Sequence, residues 1–472
     1  MNFPWQLFLN LGIISTALIL ATFFRARIIL LQKYLVPNSL TAGFILLIFY
    51  NYFGPQINLT QESLGHMVYH LLSISFVAMS LRRAPEKRQK SNHGIISTSI
   101  SIIFQYAVQA MVGLFITYFF MKTFFPNLFP AFGFFLPLGF ALGPGQSYAI
   151  GKGWESFGFE GAGSIGLTFA ALGFIWACFG GMYLINYGLR KNWIEEKKIE
   201  VIKKIEVKSG ILSPDAKKPY GSHLTTHSEA IDSMTLNASV VFMTYLFSYI
   251  FLKFISYILS FAGKLGSDLA INLWGISFVF AALFALLIRK IANLLKIDYV
   301  LDNGCLTRIS GFSVDIMVAA SLGAISLVVV KEYLIPILVL STIGGIIIII
   351  STPWFCSRIY RDHRFHRTLI VYGACTGTMP TGLALLRVLD PQFETPVASD
   401  YMFSSAVTFV LVIPFILAIN LPAYSYLYKK QIYFWIAILI SFIYFIFTII
   451  MKRILAKRNF FRKPSKIWLR TS

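Results

Sequence analysis

Long apolar runs alternate with short polar or basic segments along nearly the whole chain. Windows of about 19 residues predict spanning helices near 5–24, 36–53, 64–81, 94–121 and 162–188. A second set follows near 236–260, 268–289, 305–330, 333–351, 400–427 and 432–451. Two more apolar stretches, about 130–153 and 368–387, are broken by glycine and proline, in "FALGPGQSYAIG" and "YGACTGTMPTGLALL". A helix buried in lipid has no reason to break unless something at that depth satisfies the freed N–H and C=O groups, each of which costs several kcal/mol unpaired.

Order and charge together give a topology. Lys and Arg accumulate on the cytoplasmic side. An external N-terminus, with both interrupted stretches entering and leaving on one face, puts about 34 of the 41 basic residues inside. The inner clusters include Arg82, Arg83, Lys87, Arg88 and Lys90, then Arg358, Arg361, Arg364 and Arg367. The predicted fold is an all-α multi-pass membrane protein of two inverted repeats, each with five transmembrane helices plus one re-entrant hairpin. Residues 1–188 form the first repeat and 236–427 the second. A basic linker, 189–235, joins them in the cytoplasm, and an extra C-terminal transmembrane helix, 432–451, precedes a basic cytoplasmic tail, 452–472.

Composition agrees. Hydrophobic residues make up 57% of the 472, Phe alone contributes 45, and only 13% are charged. The net charge of +21 lies between apolar segments, with no soluble basic domain or reading motif, so nucleic acid is excluded as a partner. The first 24 residues hold no Lys or Arg, which removes the n-region of a cleaved signal peptide. Cys178, Cys305, Cys356 and Cys375 lack disulfide or zinc spacing, and His223 with His227 reads as part of a solvated linker.

The broken stretches are the natural place for a ligand. Helix N-termini at a break offer free N–H groups and about half a positive charge, suited to a carboxylate. Freed carbonyls and hydroxyls suit Na⁺, a hard cation. Gly143, Gly145, Gly373, Gly377 and Gly382 permit the turns, while Gln146, Ser147, Thr376, Thr378 and Thr381 supply polar atoms.

Two charges stand out inside apolar segments, where ionisable groups mark pathways. Asp315 can ligate Na⁺ or carry a proton, or pair with Arg308. Arg387 can clamp a substrate carboxylate or reach the inner interface and pair with Asp390. Ser404, Ser405 and Asn420 in the tenth helix, with Thr408 and with Thr168 in the fifth, are further ion-coupling candidates. No cofactor other than a coupling ion is called for. An enzyme is disfavoured: "GAGSIG" misses the nucleophile spacing and lacks a neighbouring histidine, and Asp315 has no second carboxylate at its depth. A channel remains open, since glycine-rich re-entrant loops also build filters.

"GTMPTGLALL", Gly377 to Leu386, resembles the second re-entrant signature of the bacterial sodium:glutamate symporter family. "VPNSLTAGF", Val36 to Phe44, is similar to that family's proline-glycine lead-in to its second helix, and "LGPGQSYAIGKGW" falls where its first re-entrant glycine motif stands. The resemblance covers about residues 1–427. It implies an elevator-type homodimer in the bacterial inner membrane, carrying L-glutamate inward with Na⁺. The family's glycine-histidine-glycine pattern is replaced by Gly143-Pro144-Gly145-Gln146, and the eleventh helix is additional. Citrate or malate as substrate, or H⁺ as coupling ion, is the alternative within this reading.

Overall fold

The apolar runs become helices wherever a cap or an apolar partner ends them cleanly. Thr60 accepts a hydrogen bond from the Ser63 N–H, Asp232 from Met234 and Thr235, and Asp302 from Cys305, so three helices start on side-chain caps. The computed structural model describes residues 5–34, 36–83, 92–191, 220–261, 263–390 and 395–460, together with 193, 211, 462 and 464–469. The chain is all-helical in these residues, and nine of its helices are long and apolar enough to cross a membrane.

In chain order the main helices are α1 (Gln6–Arg27), α2 (Asn38–Tyr52), α3 (Gln61–Ser80), α4 (His93–Lys122), α5 (Pro130–Leu142), α6 (Pro144–Glu155) and α7 (Ala162–Arg190). Then follow α8 (Ser233–Ser260), α9 (Gly263–Gly275), α10 (Ser277–Leu294), α11 (Asn303–Gly323) and α12 (Leu334–Ile359). The last four are α13 (Arg364–Thr376), α14 (Met379–Arg387), α15 (Val397–Leu427) and α16 (Ile432–Ala456).

They gather into two bundles. In one, α11 packs along α2 and α3, with α1, α8 and α10 around them. In the other, α4 is the axis, surrounded by α12, α15 and α16. The pairs α5–α6 and α13–α14, with α7, fill the space between.

Three sequence expectations need correction. The span expected at 268–289 is divided at Ile276 into α9 and α10. The carbonyl of Trp274 turns out of its helix to accept the Tyr69 hydroxyl at 2.8 Å, and the Trp274 indole donates to Ser256, so tertiary partners replace the helix bonds there. The basic tail expected from 452 packs back onto the protein. Its Trp468 and Leu469 are buried, Trp468 stacks on Trp193 with centroids 4.7 Å apart, and Arg358 donates to the Lys466 carbonyl at 2.7 Å. Lys452, expected in that tail, ends inside α16, fully buried, with its ammonium 3.3 Å from the Trp354 ring centroid. Most of the linker expected at 189–235 lies outside the described residues.

Candidate functional site

Both broken stretches fold as hairpins. In the first, Gly143 takes φ +97°, a conformation that glycine alone adopts without strain, and the chain reverses between α5 and α6. The reversal is visible in Trp154, near the end of α6, which packs against Phe135 within α5 and Phe129 just before it, with centroids 5.0 and 5.9 Å apart. In the second, α13 and α14 cross at Gly373 and Gly382, so close that a Cβ on Gly373 would lie 2.7 Å from the Gly382 Cα. Its bend is Gly377–Thr378.

Helix α4 acts as a ruler against which both hairpins can be placed. The first hairpin meets it backbone to backbone at Gly113 and Gly133, and its bend lies one to two turns back, where the Tyr106 hydroxyl donates to the Ala141 carbonyl at 3.3 Å. The second starts at the other end, where Arg367 lies against Gly94, and reaches inward until Gln109 donates to the Cys375 carbonyl at 3.0 Å. The hairpins therefore approach from opposite ends of α4 and their bends overlap near its middle.

The bends touch. A Cβ on Gly143 would lie 3.2 Å from Thr378 Cγ2 and 3.9 Å from the Gly377 carbonyl oxygen. Gln146 Oε1 is beside Gly143, the Ser147 N–H donates to the Gly143 carbonyl at 3.1 Å, and the Thr378 and Thr381 hydroxyls are 3.3 Å apart. Six of the residues expected to bind substrate, Gly143, Gln146, Ser147, Gly377, Thr378 and Thr381, thus come together. The N-termini of α6 and α14 start here, and the C-termini of α5 and α13 end here. Donor and acceptor ends of helices meet in one place that holds no ionisable side chain among these six residues. Ser147 Oγ and Gln109 Oε1 are buried beside the bends with no protein hydrogen-bond partner among the described residues.

The other candidates add no free polar group to this cluster. Gly145 faces Leu72 on α3. Thr376 spends its hydroxyl on the Tyr372 carbonyl at 2.7 Å. Asp315 is exposed on α11, next to the Ser39 hydroxyl, and Arg308 donates instead to the Gly221 carbonyl at 3.1 Å. Arg387 is exposed at the far end of α14, about 13 Å along the helix from Thr378. Asn420 accepts the Trp154 indole N–H at 2.8 Å at the base of the first hairpin, and Ser404 and Ser405 both donate to the Tyr401 carbonyl.

Sequence reasoning missed Tyr106 and Gln109. The signal was present: Thr98, Ser101, Gln105 and Gln109 recur at three- and four-residue spacing on an otherwise apolar helix, which places them on one face. It also missed the base of the second hairpin, where Arg367, 1% exposed, bonds Asp400 at 2.8 Å and Asp362 at 2.9 Å. Asp362 lies in the loop before α13. Burial alone would raise its carboxyl, but the hydrogen bond and charge of Arg367 outweigh that and hold it below the ordinary value.

Compared with protein-family models, with curated proteins and with solved structures, the chain matches none of them.

Proposed function

We propose that the chain is a secondary active transporter that takes up a small carboxylate, with L-glutamate as the leading substrate, together with Na⁺. The single observation that carries this reading is the contact between the two bends, Gly143 against Thr378 and Gly377. Two helix N-termini converging there favour an anion, and the two helix C-termini beside them favour a cation. Both ligand types then share one site without a charged side chain.

In this reading the hairpins are re-entrant, entering from opposite faces of a bacterial inner membrane, with the N-terminus outside and the C-terminus in the cytoplasm. The order of four helices, hairpin and helix in residues 1–188 and again in 236–427 makes the halves inverted repeats. Alternating access follows an elevator motion of the hairpins against the α2–α3–α11 bundle, in a homodimer. One Na⁺ with a monoanion moves no net charge, so a 100 mV potential, about 2.3 kcal/mol per charge, adds nothing. A tenfold Na⁺ gradient alone then supplies ~1.4 kcal/mol, enough for about tenfold accumulation, and appreciable accumulation beyond that needs at least two cations per anion.

The test is uptake of labelled glutamate into proteoliposomes under an inward Na⁺ gradient. The reading expects uptake that stops when K⁺ replaces Na⁺, and counterflow of label into vesicles preloaded with cold glutamate. Na⁺-independent uptake removes the coupling. Dissipation of gradients without counterflow makes the chain a channel, and stronger competition by citrate or malate moves the substrate.

A further inference from the structure

Residues 360–363 join α12 to α13 and so attach the second hairpin to the helix before it. The junction is braced poorly by its own residues. His363 takes φ +42°, a left-handed torsion that costs a residue with a Cβ, and no side chain caps the first turn of α13.

The tail crosses this junction. On the α12 side, the Trp354 indole donates to the Pro464 carbonyl at 3.0 Å, Arg358 donates to the Lys466 carbonyl at 2.7 Å, and the Leu469 N–H donates to the Ser357 hydroxyl at 3.2 Å. On the α13 side, Arg364 donates to the Leu469 carbonyl at 3.4 Å, and Trp468 meets the Phe365 ring edge-on with centroids 5.6 Å apart. Trp468 also stacks on Trp193, just beyond α7, at 4.7 Å. One six-residue segment, 464–469, therefore grips both sides of the junction and ties them to the end of α7. The segment is neither helix nor strand, and only Trp468 and Leu469 in it are buried. All four of these hydrogen bonds end on its backbone. A contact made by so few groups, with no element of its own to unfold, belongs to the low-stability end of a structure and can leave and return as a unit.

We propose that residues 464–469 are a releasable strap across the α12–α13 junction, an autoinhibitory contact that holds the second hairpin while docked and frees it when detached. The proposal rests on the reading of the second hairpin as a moving part of a transporter.

Hydrogen exchange on the purified full chain, read by mass spectrometry, tests it first. Amides of residues 360–369 should exchange about tenfold faster in Trp468→Ala and in a chain ending at residue 463, while those of α6 in the first hairpin keep the wild-type rate. Ser357→Ala, which loses one of the four bonds, should fall between. A lock completes the test: Ser357→Cys with Leu469→Cys, in a chain whose four native cysteines are replaced by alanine, joins two positions whose Leu469 nitrogen and Ser357 oxygen are 3.2 Å apart. Oxidation of this pair should slow exchange at 360–369 below the wild-type rate and stop glutamate uptake by proteoliposomes, and dithiothreitol should restore both. Junction exchange unchanged in Trp468→Ala and in the shortened chain, equal acceleration in α6, or an oxidised pair that exchanges no more slowly than the wild type would each overturn the proposal, as would full uptake by the oxidised pair. Absence of uptake by the wild type would instead remove the transport reading, and the exchange rates alone would then decide on the strap.

Discussion

The two hairpins bring the same kind of bend to the same place, yet they are held in opposite ways. The first is seated by aromatic packing: Trp154 contacts Phe129 and Phe135, Phe135 stacks on Phe169 at 5.9 Å, and Phe129 stacks on Phe159 at 4.6 Å. Among the described residues its ion pairs, Lys152 with Glu155 at 2.7 Å and with Glu62 at 3.3 Å, lie at its partly exposed rim and not in its buried core. The second is seated on charge, with Arg367 between Asp362 and Asp400, and its base is covered by the tail through Arg364, Phe365 and Trp468. Packing of rings tolerates small displacements poorly and is insensitive to salt and pH. A buried guanidinium with two carboxylates is strong only while all partners remain, and one of its carboxylates is half exposed. The comparison teaches that the second hairpin is the one whose seat responds to solution conditions.

The largest effects should come from removing either seat. Arg367→Met removes the buried guanidinium that Asp400 faces and should lower stability by about 3–5 kcal/mol in thermal unfolding of the purified protein. Adding Asp400→Leu should restore most of that loss. Trp154→Ala should cost a similar ~3–5 kcal/mol by opening a cavity and orphaning Asn420, and no second substitution at Asn420 should restore it. Equal rescue at both sites would erase the distinction.

Next in size are the bends. Gly143→Ala meets both the left-handed torsion and the Thr378 side chain, and should cost about 1–3 kcal/mol along with most uptake. Gly153→Ala, nearly three turns further on in α6 with open space at its Cβ position, should be neutral or stabilise by up to ~1 kcal/mol. Matching losses at the two glycines would contradict the account of the bend.

Smaller still is the support from α4. Gln109→Leu leaves the Cys375 carbonyl unpaired and should cost about 1–2 kcal/mol, whereas Tyr106→Phe, which loses a longer bond to the first bend, should cost about 0.5–1 kcal/mol. The reverse order would mean that the first bend leans more heavily on α4.

The smallest effect is in pH. The folded-state value of Asp362 is depressed, so its contribution is present above the unfolded carboxylate range and is lost as pH falls through the lower folded value. The melting temperature of the wild type should therefore drop in acid below about pH 4 more than that of Asp362→Asn. Parallel acid profiles would remove Asp362 from the seat.

Much of this was legible because lipid-length apolar runs and paired glycine-proline breaks are local signals. Eight of the nine helices long and apolar enough to cross a membrane among the described residues fit expected spans closely in position; the ninth, α10, is what remains of the divided 268–289 span, and the spans expected at 36–53 and 64–81 are not among the nine, while Gly143 and Gly377–Thr378 mark both bends. What failed was decided by distant partners. No hydropathy window reveals that Tyr69 captures the Trp274 carbonyl, that Trp154 satisfies Asn420, or that an aromatic cage around Trp354 takes in Lys452. Arg358 and Arg367 read as charges for an inner loop, yet both are buried, because carbonyls of the tail and carboxylates of neighbouring elements are there to receive them.

The claim beneath the whole account is that the hairpins enter the membrane from opposite faces and meet. Single cysteines at their exposed bases test it most directly, Ser156→Cys for the first and Arg361→Cys for the second, read with a membrane-impermeant maleimide on intact cells and on inside-out vesicles. The account predicts labelling of position 156 only from outside and of position 361 only from inside. Labelling of both from the same face would contradict it.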